Sequence, residues 1–134
     1  MNRTRLYIEL VYGTPVLAYA GLIFWLSSVS RFPDMFPAFT GFDKLAHFGE
    51  YYLLGCLLCR WLLAEKSRTA NQYAVLFTIL IGTLYGISDE WHQSFVPGRD
   101  ASFWDTAIDA AAVVTAAASY PGIVRRVSLL KILA

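Results

Sequence analysis

Two polar stretches break an otherwise apolar chain. One opens Asp89-Glu90-Trp91-His92-Gln93 and runs through Arg99 and Asp100 to Asp105 and Asp109; the other, earlier, carries Asp43, Lys44, His47 and Glu50. Ionisable groups at this density beside hydrophobic segments are costly unless they pair, meet water or do chemistry. At helical spacing, Asp43, His47 and Glu50 share one face, and Asp89 and Gln93 share another with Gly82 and Gly86. Glu90 flanks that second face, and Asp105 and Asp109 stand one turn apart. Three helices can therefore aim carboxylates and an imidazole at a common centre, as helical bundles do when they build cofactor sites.

Three chemistries suit these residue types. General acid–base work on a lipid headgroup would use His47 or Glu50 as base, Asp89 or Glu90 as acid or metal ligand, and Arg99 as anion clamp; the catalytic candidates are His47, Glu50 and Glu90. A divalent metal is a second use, since His47 and the carboxylates offer nitrogen and oxygen ligands. No H-x-x-x-H, H-E-x-x-H or D-x-D ligand motif accompanies them. The third is a salt-bridged cluster in which Lys44, His47 and Arg99 neutralise carboxylates without catalysis. Local helix chemistry competes at two positions: Asp43 suits a helix start, and Ser102-x-x-Asp105 fits a capping box. Capping cannot account for Glu50 and Asp109, which lie deeper in their helices. His92 ranks below His47, and Asp34 and Asp100 read as solvated. A nucleophilic serine or cysteine triad has no support.

The elements that must position these groups are membrane spans. Of the 134 residues, 57% are hydrophobic and 16% charged, above and below the usual shares for soluble domains. Residues 10–30 and 69–88 contain no charge, and each stretch is long enough to cross a hydrocarbon core of about 30 Å as a helix. The expected fold is an all-α membrane protein, a single domain over residues 1–134 with four transmembrane helices. The expected spans are about 10–29, 44–64, 72–92 and 103–120. Pro15 lies near the start of the first, and Pro121-Gly122 closes the last. Gly82-x-x-x-Gly86 is a small-xxx-small pattern for close helix packing. The link Arg31–Phe42, rich in proline and phenylalanine, reads as an interfacial loop. Arg3 and Arg5 before an apolar run, with Ala18-Tyr19-Ala20, resemble a cleaved signal peptide. Glu9, Gly13 and Pro15 interrupt that pattern and favour a retained span. Cys56 and Cys59, spaced C-x-x-C inside an apolar run with no second pair, read as small packing residues.

Charge asymmetry sets the orientation. With both termini inside, eight of the eleven basic residues are cytoplasmic, and eight of the ten acidic ones lie outside. The expected topology is N-in, C-in. An outward-facing polar pocket then sits at the ends of helices two, three and four. Its ligand-binding set is Asp43, Lys44, His47, Glu50, Asp89, Glu90, Gln93, Arg99, Asp105 and Asp109. Nucleic acid is excluded as a partner, because the few basic residues line the inner membrane edge, where anionic lipid accounts for them.

The motifs Asp43-Lys44-Leu45-Ala46-His47-Phe48-Gly49-Glu50-Tyr51 and Ser88-Asp89-Glu90-Trp91-His92-Gln93-Ser94-Phe95-Val96-Pro97-Gly98-Arg99 resemble those of the VanZ-like membrane family. The Asp105 and residue-109 pair continues the match. Position 109 departs from it, with Asp where Asn is common, and Ala112 replaces a common glycine. The resemblance implies a cell-envelope protein, and its founding member is associated with resistance to the glycopeptide teicoplanin. Two functions are expected on this basis. One is binding of a lipid-linked wall precursor, lipid headgroup or glycopeptide-type amphiphile, with Phe42, Phe48, Tyr51, Trp91, Phe95 and Trp104 holding its apolar part. The other is a membrane-embedded hydrolase or transferase acting through His47, Glu50, Asp89, Glu90 and Arg99. A structural subunit of a larger membrane complex and a homo-oligomer are further options.

Overall fold

The computed structural model describes residues 3–30, 41–65, 67–99 and 101–133, without the side chains of Phe42 and residues 127–133. Most of the Arg31–Phe42 link, Asp34, Lys66, Asp100 and the Lys131 side chain lie outside the described residues. All regular structure among the described residues is helical: α1 (Arg3–Ile8), a π-helical turn (Glu9–Gly13), α2 (Thr14–Ser27), α3 (Phe42–Ala64), α4 (Arg68–Gln72), α5 (Ala74–Gln93) and α6 (Phe103–Leu133). The first three form one continuous rod, Arg3–Ser27. That rod and Phe103–Arg126 are long and apolar enough to cross a membrane by length and composition.

Helix ends differ from the expected spans for identifiable reasons. Pro15 marks where the regular α-helix of the first rod begins, just after the π turn. It sits in the first turn of α2, where a missing N–H costs nothing new, and the wider π turn precedes it. Thr14 N–H closes that turn onto Glu9 O. The last helix does not stop at Tyr120 but runs through Pro121 to Leu133. Gly122 lacks the positive φ that would end it, a conformation found among the described residues only at Gly41 and Gly98. The polar link is partly helical: Ser67 accepts from Ala70 N–H at 3.3 Å and caps the short α4.

Packing centres on α3, which lies against α6, α5 and α2, while α5 also packs on α6. Val16, Ile23, Tyr51, Leu54, Leu58, Ala112 and Val113 form the buried core. Small residues let the rods approach. A Cβ at Gly82 would lie 2.7 Å from Val113 Cγ1, and one at Gly55 would lie 2.7 Å from Ala116 Cβ. Cys59 is buried and Cys56 partly so, both as free thiols, which fits packing residues.

Helix α5 is turned inside out relative to a soluble amphipathic helix. Thr78, Gly82, Gly86, Asp89, Glu90 and Gln93 are buried, whereas Leu76, Leu80, Ile81, Leu84 and Ile87 face outward. Water would penalise that arrangement and lipid rewards it.

Candidate functional site

The site lies where the end of α2, the start of α3, the end of α5 and the start of α6 meet. Helix α3 begins after Gly41, whose φ of 105° suits glycine, and presents Lys44, His47 and Glu50 toward α5 and α6. Helix α5 delivers Asp89, Glu90 and Gln93 in its last turn, all buried. Helix α6 supplies Asp105 and Asp109, also buried. Polar groups inside such a bundle persist only if partners satisfy them.

Those partners come from other helices. Asp89 accepts from Ser27 Oγ on α2 at 2.6 Å and from Gln93 Nε2 at 3.0 Å. Lys44 Nζ donates to Asp105 Oδ1 at 2.6 Å across the α3–α6 seam. His47 Nδ1 and Asp109 Oδ1 are 3.1 Å apart, joining the same two helices one layer deeper. Gly86 leaves the room for this layer, since a Cβ there would sit 3.2 Å from the Tyr51 ring and 3.3 Å from Asp109 Cβ. Glu90 Oε2 accepts the backbone N–H of Ser102 at 2.9 Å. The capping box expected from Ser102 and Asp105 is therefore split: Lys44 holds Asp105, and Glu90 from α5 takes the amide. Asp43 is exposed, provides no helix cap, and lies 3.9 Å from His47 Nε2.

Arg99 reaches the site by a built turn. The backbone folds through Pro97, Gly98 has a φ of 82°, and a Cβ at Gly98 would press to 3.0 Å from Ser30 O. Only glycine meets both demands. The guanidinium then donates from Nε to Val29 O at 3.1 Å and from Nη2 to Leu26 O at 2.9 Å, capping the carbonyl end of α2.

These groups enclose a cavity of about 60 Å³ whose polar wall is Asp43, His47, Glu50, Asp89, Gln93 and Arg99. It suits a few waters or one ion-sized or ammonium-sized group. A larger groove of about 300 Å³ adjoins it, walled by Phe24, Tyr85, Trp91, His92 and Phe95, and Asp89 borders both spaces. His92 stacks on Phe24 at 4.3 Å within this groove. Trp91, Phe95 and Trp104 are exposed, as expected of aromatics that meet an amphiphile or the interface. Tyr51 is not among them: it is fully buried in the core.

Asp43, Lys44, His47, Glu50, Asp89, Glu90, Gln93, Arg99, Asp105 and Asp109 thus converge on one polar layer. Sequence reasoning missed Ser27 and the Ser102 amide. Ser27 had a signal, as a hydroxyl near the end of an apolar run, but nothing local named its partner. Two groups of three can each bring one metal-ligating atom within 4.8 Å of the others: Asp43, His47 and Asp105, and His47, Glu90 and Asp109.

An all-helical chain with two span-length apolar rods and an inside-out α5 defines a helical membrane protein with a polar site at one end. The VanZ/LLP1 family profile matches residues 4–125, and the chain belongs to that family. Comparisons with curated proteins and with solved structures find no match.

Proposed function

We propose that this VanZ-family protein spans the bacterial cytoplasmic membrane four times with both termini inside and binds an amphiphile at the outer face. Helices α3 and α5, 23 and 20 residues long, have the length of spans, and Leu53 on α3 with Leu76, Leu80, Ile81, Leu84 and Ile87 on α5 give them apolar outward sides. The excess of basic residues at the opposite end supports the orientation. The observation that carries the binding reading is the shared border at Asp89: a small acidic cavity opens beside an aromatic groove. An amphiphile would place a donor-rich headgroup against the carboxylates and its apolar part along Phe24, Trp91 and Phe95. Lipid-linked wall precursors, lipid headgroups and glycopeptide-type drugs share this division, so a contribution to teicoplanin-type resistance follows from the same site.

Native mass spectrometry of the protein in mild detergent tests this. Wild type should retain a lipid or bind an added lipoglycopeptide, and Asp89→Asn with Trp91→Ala should lose it while staying helical. Equal retention by the variant would exclude the site.

A second reading draws on the His47–Asp109 pair, which holds an imidazole as an orienting carboxylate holds a general base. Under it the protein is a hydrolase or transferase of lipid headgroups. His47→Ala would then abolish turnover while sparing lipid retention.

A further inference from the structure

We propose that His47, Glu90 and Asp109 bind a divalent cation of borderline hardness, Zn²⁺ above all, where α3, α5 and α6 meet. The inference stands on ligand geometry and does not depend on the amphiphile reading.

Elimination comes first. Among the described residues, four carboxylates are buried: Asp89, Glu90, Asp105 and Asp109. Asp89 is satisfied by Ser27 and Gln93, and Asp105 by Lys44. Glu90 Oε1 and Asp109 Oδ2 are buried with no hydrogen-bond partner, on residues only 6% and 1% exposed. An unpartnered buried carboxylate oxygen is expensive, and a cation removes that cost. These two orphans belong to the one wholly buried group of three whose ligand atoms lie within 4.8 Å of one another.

Geometry and chemistry then agree. His47 Nδ1 and Asp109 Oδ1 are already 3.1 Å apart, a spacing compatible with one shared ion because bonds of about 2.0–2.2 Å at tetrahedral or octahedral angles put ligand atoms roughly 3–3.5 Å apart. An ion there would take both Asp109 oxygens, Oδ2 having no other partner. An imidazole in the set disfavours Mg²⁺, Ca²⁺ and Mn²⁺, which suit oxygen shells, and favours Zn²⁺. His47 also lines the cavity whose rim carries the exposed Asp43, which gives an ion a way in. The alternative group through Asp105 is weaker, because Lys44 already holds that carboxylate at 2.6 Å and Asp43 is 67% exposed.

The test uses the full chain in mild detergent, stripped with chelator and reloaded with Zn²⁺ alone. Metal content, calorimetry, circular dichroism and X-ray absorption are measured together. Wild type and Glu9→Gln should hold an equimolar ion with one imidazole in its first shell. Asp109→Asn and Glu90→Gln should remain helical and bind at least about 100-fold more weakly, beyond the 10–100-fold typical of lost outer-shell partners. A wild type with no equimolar ion overturns the proposal, as does an ion in an all-oxygen shell. Folded variants that bind like wild type overturn it too. Should Asp109→Asn unfold, Glu90→Gln and the wild-type absorption spectrum still decide.

Discussion

Substituting Gly55 by alanine tests the seam that assembles the site. A Cβ there would lie 2.7 Å from Ala116 Cβ and 3.3 Å from Val113 Cα. Carbon pairs settle at about 3.5–4.0 Å, so α3 and α6 must part by roughly 1 Å. No rotamer change relieves a clash with a Cα. Overpacking of this kind costs about 1–3 kcal/mol, and the better helix propensity of alanine returns about 0.5–1 kcal/mol. The net loss is about 1–2 kcal/mol. Gly21 is the control: a Cβ there meets nothing within 4 Å, so Gly21→Ala should gain about 0.5–1 kcal/mol. The two variants should thus differ by roughly 2 kcal/mol in a reversible SDS titration in mixed micelles, followed by circular dichroism. The same seam carries the 3.1 Å His47–Asp109 contact, about 12 Å further along α3. Gly55→Ala should therefore also weaken whatever ligand the site holds. If Gly55→Ala is as stable as Gly21→Ala, the packing of α3 on α6 described above is wrong.

Lys44 and Asp105 should be energetically coupled. Because Lys44 is 49% exposed, the coupling in a Lys44→Met/Asp105→Asn cycle should be small but measurable and should shrink in high salt. Strictly additive variants would mean the 2.6 Å contact contributes nothing. Removing the Glu90 carboxylate should release the Ser102 amide: Glu90→Ala should speed its hydrogen exchange at least about tenfold, since hydrogen bonds to charged groups contribute about 1.5–3 kcal/mol. Unchanged exchange would remove Glu90 as the cap of α6. For topology, Cys56 and Cys59 are replaced and single cysteines placed at Ser94 or Glu65. A membrane-impermeant thiol reagent on intact cells should label Ser94→Cys and spare Glu65→Cys; the reverse pattern would invert the orientation.

The helical periodicity of the polar residues was readable because it is local. Asp89, Gln93, Gly82 and Gly86 share a buried face of α5, as their spacing requires. The small-xxx-small pattern likewise marked where α5 meets α6. Helix ends were harder to read, since they depend on which backbone groups find partners. Proline and glycine at 121–122 read as a stop, yet the helix continues because Gly122 keeps a helical backbone. Pro15 was readable as a boundary, since the regular α-helix starts beside it, but the π turn before it was not.

Partner choice across helices was illegible for a physical reason. Ser102-x-x-Asp105 predicts a reciprocal cap from local sequence, but a lysine cation competes for the same carboxylate and a charge pair at 2.6 Å wins over an amide. The orphaned amide then needs an acceptor, and Glu90 is the carboxylate that α5 brings within 2.9 Å. That leaves Glu90 with one oxygen used and one unpartnered, while Asp109, one turn beyond Asp105, separately keeps one oxygen on His47 and one without a partner.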